Sequence, residues 1–224
     1  MTTSESAAAA HPSESAVRSF VGLAGYASLG SFSLLAQDAG RSPDIGARIR
    51  LSRMAAAELA ETDFLEPLIQ RHGGNAPEVV AEFAPILNDF LVRAEPRDWW
   101  ERVMRSYVGF NLLQDLLFEL SEGLPADFRE RVRDAAGVSG HADFVAEELT
   151  PVLAEDEKLA SRLALWGRRV VGEGITLVRR LFLEHPELAE LLPGEGDAAA
   201  REAALLGRLQ AGHARRLGRL KLTS

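Results

Sequence analysis

The 224-residue sequence contains no cysteine, which excludes disulfides, cysteine-bound zinc, iron–sulfur clusters and thiol catalysis. It also lacks a glycine-rich phosphate loop and a dinucleotide-binding fingerprint. No Ser/His/Asp arrangement in it has the sequence context of a known hydrolase motif. Nucleotide-dependent and serine-hydrolase chemistry therefore have no support in the sequence.

Basic residues are scarce relative to acidic ones, at 25 against 33, for a formal net charge of −8. A chain of this charge is a poor candidate for binding nucleic acid over a broad surface. The first 14 residues carry no lysine or arginine, and their short alanine run is too weak for a secretory signal. Because no stretch approaches 18 consecutive apolar residues, we expect no membrane span and a cytoplasmic protein.

The residues that are abundant, alanine, leucine, arginine and glutamate, are helix formers, and no segment alternates like a strand. We predict a disordered tail over residues 1–13 and a single domain over residues 14–224. Its helices are expected at about residues 14–39, 43–72 (with Ser42 as N-cap, and kinked or broken at Pro67), 77–92, 97–122, 126–154 (interrupted near 137–140), 156–185 and 198–222. Long helices joined by short loops indicate an all-α, antiparallel helical bundle.

The predicted helix over residues 97–122 is apolar on nearly all sides, which is typical of a helix at the centre of a bundle. We expect Tyr107, Leu113 and Leu117 to be buried there.

Several short segments, in this order and spacing over about 200 residues, resemble one family. They are Arg53 to Glu58, Ser106-Tyr107-Val108-Gly109, Ser139-Gly140-His141-Ala142, Arg162 to Glu173, and Gly212 to Leu217. Together they are similar to the ferritin-like proteins of actinobacteria that are related to tRNA hydroxylases (MiaE-like). The resemblance implies a ferritin-like antiparallel bundle with additional helices.

The resemblance also implies a di-iron site built from carboxylates and Glu-x-x-His pairs, because residues three apart on one helix can hold one ion together. Four of about six ligand positions that the family carries are replaced here, by Ser28, Glu61, Phe110 and Val138. Glu58 and His141 are retained, Asp115 matches a second family aspartate, and Glu173 also matches. Phenylalanine and valine have no donor atom, so we expect no di-iron centre and no cofactor, with Glu58 and His141 as remnant ligand positions.

Three functions remain open from the sequence. A degenerate member could keep an interior pocket lined by Glu58, Glu61, Asp115 and His141, for a small-molecule ligand or metal-free acid–base catalysis. A hydroxylase with unusual ligands would need iron, oxygen and a substrate such as a tRNA base. A non-catalytic interaction module, such as a homodimerisation bundle, would have a tight core without a cavity. Whether the protein is an enzyme stays open.

The last predicted helix carries arginines at seven-residue spacing, namely Arg201, Arg208 and Arg215, which form one basic stripe. This stripe could meet RNA, or it could pair with acidic helices of the same chain or of a second subunit. The negative net charge favours pairing. His213, on the same helix, is predicted to lie at the surface.

Overall fold

The computed structural model describes residues 12–71, 74–126, 128–130 and 140–222, with the backbone alone for residues 61–66. No strand occurs in these ranges, and the all-α prediction is confirmed. The helices are α1 (Glu14–Arg41), α2 (Ile45–Arg71), α3 (Ala76–Ala81), α4 (Ala84–Arg93), α5 (Trp99–Ser121), α6 (His141–Glu155), α7 (Glu157–Glu184), a 3₁₀ helix (Pro186–Leu191) and α8 (Ala198–Arg219). Most of the tail predicted over residues 1–13 lies outside the described residues.

Aspartate side chains fix the first residues of the central helices. Asp98 accepts a hydrogen bond from the backbone N–H of Glu101 at 2.9 Å, and Asp156 accepts from Leu159 at 2.9 Å. Each carboxylate binds an N–H group that has no partner within the helix, and its charge suits the positive end of the helix dipole. These caps are local to the sequence, which is why the predicted starts lie within two residues of the observed ones.

The beginning of α2 differs from the prediction, because the residue expected to be its N-cap, Ser42, donates instead to the carbonyl of Asp44 at 2.9 Å. The Asp44 carboxylate accepts from the N–H of Ala47 at 2.9 Å and so performs the capping role. The helix then continues through Pro67 without a break.

The segment predicted as one helix over residues 77–92 is two helices, α3 and α4, separated at Glu82 and Phe83. Pro85 stands in the first turn of α4. A proline has no N–H to donate to the preceding turn, but the first turn of a helix needs no such donor, so a new helix begins here.

The bundle is built around α1 and α5. A short connection turns α1 back onto α2, and these two helices pack along much of their length. The central helix, α5, packs against α1, α6, α7 and α8. Tyr107 on α5 is 1% exposed, as predicted, whereas Leu113 and Leu117 are half-buried at the edge of the core. The fully buried leucines on this helix are Leu112, Leu116 and Leu120.

Helix α1 is long and apolar enough to cross a membrane by length and composition, with a mean hydropathy of 1.4 over its best 18-residue window. From the sequence we expected no such segment. Half of that window is buried in the bundle, and Phe20, Leu23 and Leu35 within the helix are fully buried. A core helix of a bundle has this composition because protein surrounds it on several sides.

Candidate functional site

A cavity of about 60 Å³ lies between α1, α4, α5 and α7. Its wall is almost entirely carbon, from side chains that include Leu34, Leu87 and Phe90. Two serine hydroxyl side chains, Ser31 and Ser106, are also part of the wall. A space of this size and composition suits a small, largely apolar molecule.

Small residues create this space. Ala27, Gly30 and Ser31 on α1 are three and four positions apart and therefore lie on one face of the helix, toward the cavity. A Cβ atom added at Gly30 would meet no atom within 4 Å, whereas one added at Gly109 on α5 would already touch the Phe90 ring at 3.4 Å. Gly30 is therefore the wall position where a larger side chain has room to enter the cavity.

One cationic side chain, Arg105 on α5, is also part of the cavity wall. Arg105 is 3% exposed, and its Nε and Nη2 atoms are buried without a hydrogen bond. The nearest carboxylate oxygens are at ion-pair range only: Asp38 Oδ1 is 3.8 Å from Nη2, and Glu95 Oε2 is 3.9 Å from Nη1. A buried guanidinium with two unsatisfied nitrogens is unusual, because each unsatisfied group keeps its desolvation penalty.

Asp38 is shared between two arginines. Its Oδ1 atom accepts a hydrogen bond from Arg102 Nη1 at 3.0 Å and also faces Arg105. Burial raises the pKa of Asp38 above its ordinary value, against the opposing effect of the Arg102 hydrogen bond and the Arg105 charge. Burial likewise lowers the pKa of Arg105. We did not predict this cluster from the sequence. The signal was available, because Arg102 and Arg105 lie in a helix predicted to be buried, and buried charges need partners.

His141 lies directly behind the cavity wall, at the start of α6, and is 3% exposed. Its Nε2 atom is 3.2 Å from Ser106 Oγ, and that hydroxyl donates to the carbonyl of Val103 at 3.0 Å. Because the serine hydrogen is used there, the imidazole donates from Nε2 and its Nδ1 carries a lone pair. Nδ1 is buried and has no hydrogen-bond partner. Burial lowers the pKa of His141 to about 4, so the ring is neutral at pH 7.

Phe110, at the position where the resembling family has an aspartate, lies beside His141. The two rings meet edge to face with their centroids 4.9 Å apart, and Phe110 also lines the cavity. His141 therefore contacts two wall residues, Ser106 and Phe110, and the cavity and the remnant ligand position are adjacent.

Asp115 is engaged elsewhere. Its carboxylate accepts two hydrogen bonds from Arg216 on α8, at 2.7 and 2.5 Å. Asp115 lies nine residues after Ser106 on α5, which is about 13 Å along the helix axis. The structure therefore joins Asp115 to the last helix and does not bring it to His141.

Of the other predicted site residues, Glu58 and Ser28 are described and the side chains of Glu61 and Val138 are not. Glu58 is half-buried on α2, and Ser28 is half-buried on α1 beside the wall residue Ala27. The side chain of Glu61 and the whole of Val138 lie outside the described residues. Among the residues whose side chains are described, no group of three or more histidine, aspartate or glutamate residues could hold a metal ion.

His213 on α8 is buried, and the prediction that it lies at the surface is wrong. Leu205, Leu209, His213 and Leu217 are each four residues apart and form the stripe by which α8 packs on the bundle, a spacing visible in the sequence. Burial, and next the charge of Arg216, lower the pKa of His213 to about 4.

Two of the three arginines of the stripe on α8 bond within the chain, one to a carboxylate and one to a backbone carbonyl. Arg208 forms an ion pair with Glu119 on α5 at 2.8 Å, and Arg201 donates to the carbonyl of Leu192 at 3.0 Å. With the pair between Arg216 and Asp115, these contacts attach α8 to the rest of the bundle.

Comparison with known protein families matches most of the chain. The model of a family described as "Ferritin-like domain, actinomycetes" matches residues 12–195 of the chain. No curated protein matches the sequence.

Proposed function

The chain belongs to the ferritin-like domain family of actinomycetes, and from this premise we propose that it binds a small molecule in the cavity between α1, α4, α5 and α7. Within the family we propose a relationship to the tRNA hydroxylases (MiaE-like), with a di-iron centre that has been lost. The observation that supports the proposal is the apolar cavity itself. Two residues of its wall, Ser106 and Phe110, contact His141. The proposed location is the cytoplasm.

The described donor set does not fit a di-iron centre. The Phe110 ring lies against one side of His141, and Nε2 of that histidine is bonded to Ser106, which leaves the lone pair on Nδ1 as its one available donor. Asp115 forms a two-bond ion pair with Arg216. Two divalent ions in a dry core need several carboxylates to offset their charge, and the described residues do not supply them around His141. We therefore propose that no cofactor is required.

His141 supports binding better than acid–base catalysis. A histidine whose pKa is about 4 is a weak base at neutral pH, and its one bonded nitrogen is a donor to Ser106. That bond holds the serine hydroxyl at the cavity wall. We assign His141 the role of a positioning residue for Ser106.

The cavity supports ligand binding over an interaction module. An interaction module would be expected to have a closely packed core, whereas small residues on three helices keep a space open here. A second copy of the chain remains compatible with ligand binding. Nucleic acid is a partner only under the hydroxylase alternative, in which a tRNA base would be the substrate.

Ligand entry can be tested with a neutral probe. We expect n-butanol to give saturable binding to the full-length chain in ligand-observed NMR, and Gly30→Leu to abolish it by filling the cavity. The matched control is Gly207→Leu on α8, where an added Cβ also meets no atom within 4 Å but which does not line the cavity. Equal binding by all three proteins would place the probe elsewhere and contradict the proposal.

Metal chemistry requires a separate test, an anaerobic titration with Fe²⁺ followed by exposure to oxygen. We expect less than one tightly bound iron per chain. The comparison variant carries Ser28→Glu, Glu61→His, Phe110→Asp and Val138→Glu, and it should gain iron binding at a cost in stability without metal. Two irons per wild-type chain with an oxygen-dependent absorbance change would instead establish the hydroxylase alternative.

A further inference from the structure

Positive charge exceeds negative charge beside one part of the cavity wall. The buried guanidinium groups of Arg102 and Arg105 share the carboxylate of Asp38, and of these two arginines Arg105 lines the cavity. Arg41 also acts on Asp38, but it is exposed and water screens its charge. The other nearby carboxylate, Glu95, has a side chain that is 69% exposed, so water screens its charge. The protein itself therefore does not fully neutralise this cluster.

Arg105 is the member of the cluster that lacks hydrogen-bond acceptors. Asp38 gives its short contact, 3.0 Å, to Arg102 and stands 3.8 Å from Arg105. The Nε and Nη2 atoms of Arg105 are covered by the protein and make no hydrogen bond. They form two adjacent N–H donors, the arrangement that binds a carboxylate through both of its oxygens. Arg105 lines the cavity mainly through its carbon atoms, because the wall is almost entirely apolar, and the guanidinium pairs with a ligand there by turning about its outer side-chain bonds.

The size of the cavity limits the rest of the ligand. Its 60 Å³ correspond to roughly four to six water-sized volumes of about 10–15 Å³ each. The remaining wall is carbon from residues such as Leu34, Phe90 and Leu113, so the ligand body is expected to be apolar.

We propose that the cavity binds a short aliphatic monocarboxylate, with its carboxylate paired to the Arg105 guanidinium and its hydrocarbon chain against the apolar wall. This inference rests on the proposed function and specifies its ligand class. An anion of this kind supplies the acceptors that Arg105 lacks and offsets the excess positive charge beside Asp38.

The test compares three ligands of the same chain length with the wild-type, full-length protein: butyrate, n-butanol and n-butylammonium. Dissociation constants are measured by NMR or calorimetry at pH 7.5 and constant ionic strength. Because a hydrogen bond to a charged group is stronger than one to a neutral group, we expect butyrate to bind at least about tenfold more tightly than n-butanol. Butylammonium should bind most weakly of the three.

Two variants locate the carboxylate. Gly30→Leu should abolish butyrate binding and Gly207→Leu should preserve it, which places the ligand in the cavity. Arg105→Met should reduce butyrate to the affinity of n-butanol while leaving n-butanol unchanged. If Arg105→Met fails to fold by circular dichroism, the ligand comparison in the wild-type protein decides the question alone.

The outcomes separate the two proposals. If n-butanol and butyrate bind equally and Gly30→Leu blocks both, the carboxylate assignment is wrong and the cavity function stands. If no ligand binds, both are wrong. If chloride competes with butyrate as effectively as unlabelled butyrate does, the site binds anions without regard to the hydrocarbon chain, and the inference is overturned.

Discussion

Acid should destabilise this protein through its two buried histidines, His141 and His213. Each has a pKa of about 4 in the folded chain, against an ordinary value of 6.5 that applies when the chain is unfolded. Between these values the unfolded state binds a proton that the folded state does not bind. The contribution of the two neutral histidines to the free energy of unfolding is therefore fully present above about pH 6.5. It falls as the pH drops toward 4 and does not change further below that pH.

The size of the effect follows from the pKa difference. About 2.5 pKa units at 1.36 kcal/mol per unit give roughly 3 kcal/mol for each histidine in the limit of low pH. Half or more of this should be lost by pH 5. His141 is the better-defined case, because burial alone lowers its pKa. His213 also lies beside Arg216, whose charge is screened by water and salt.

The perturbation is His141→Gln, which keeps a nitrogen donor near Ser106 but does not titrate. Urea unfolding at pH 7.5, 6.5, 5.5 and 4.5 gives the free energy of unfolding and its dependence on pH. We expect the variant to lose some stability at pH 7.5 from imperfect packing, and to lose less than the wild type between pH 6.5 and 4.5.

The comparison with His213→Gln tests whether the effect is specific to each histidine. Each single variant should remove about half of the histidine-dependent slope, and the double variant should remove nearly all of it. The reasoning is refuted if the wild type and the double variant lose the same free energy between pH 6.5 and 4.5. It is also refuted if proton uptake on unfolding at pH 5.5 is the same in both proteins.

Two further outcomes are expected. Gly123→Ala should destabilise the protein by at least about 2 kcal/mol in urea unfolding, because the new Cβ would lie 2.5 Å from the Leu191 carbonyl oxygen. The control is Gly218→Ala, where the Cβ meets nothing within 4 Å; it should be neutral or stabilising by up to about 1 kcal/mol, and equal losses in the two variants would contradict the packing argument. Asp115→Ala should lower the free energy of unfolding by about 1–2 kcal/mol in the same assay, because it removes the partly buried carboxylate that accepts two hydrogen bonds from Arg216. A loss below about 0.5 kcal/mol would mean that this ion pair does little to attach α8.

The helices themselves could be predicted because the information that fixes them is local. Asp98 and Asp156 are followed at once by residues that they cap, and apolar spacing marks the length of each helix. Errors arose where two local signals competed, as at Ser42 and Asp44. The all-α class and the ferritin-like family also follow from the sequence, since helix-forming residues dominate it and its short segments stand in the order and spacing of the family.

Only the tertiary structure decided what lies between the helices. The cavity needs small residues from α1, α5 and α7 at one height, and the sequence does not specify how far each helix is displaced along its neighbours. The same displacement sets Phe110 against His141 and pairs Asp115 with Arg216. Helical periodicity gives the face on which a residue lies, but the partner that it meets depends on the packing of two or more helices.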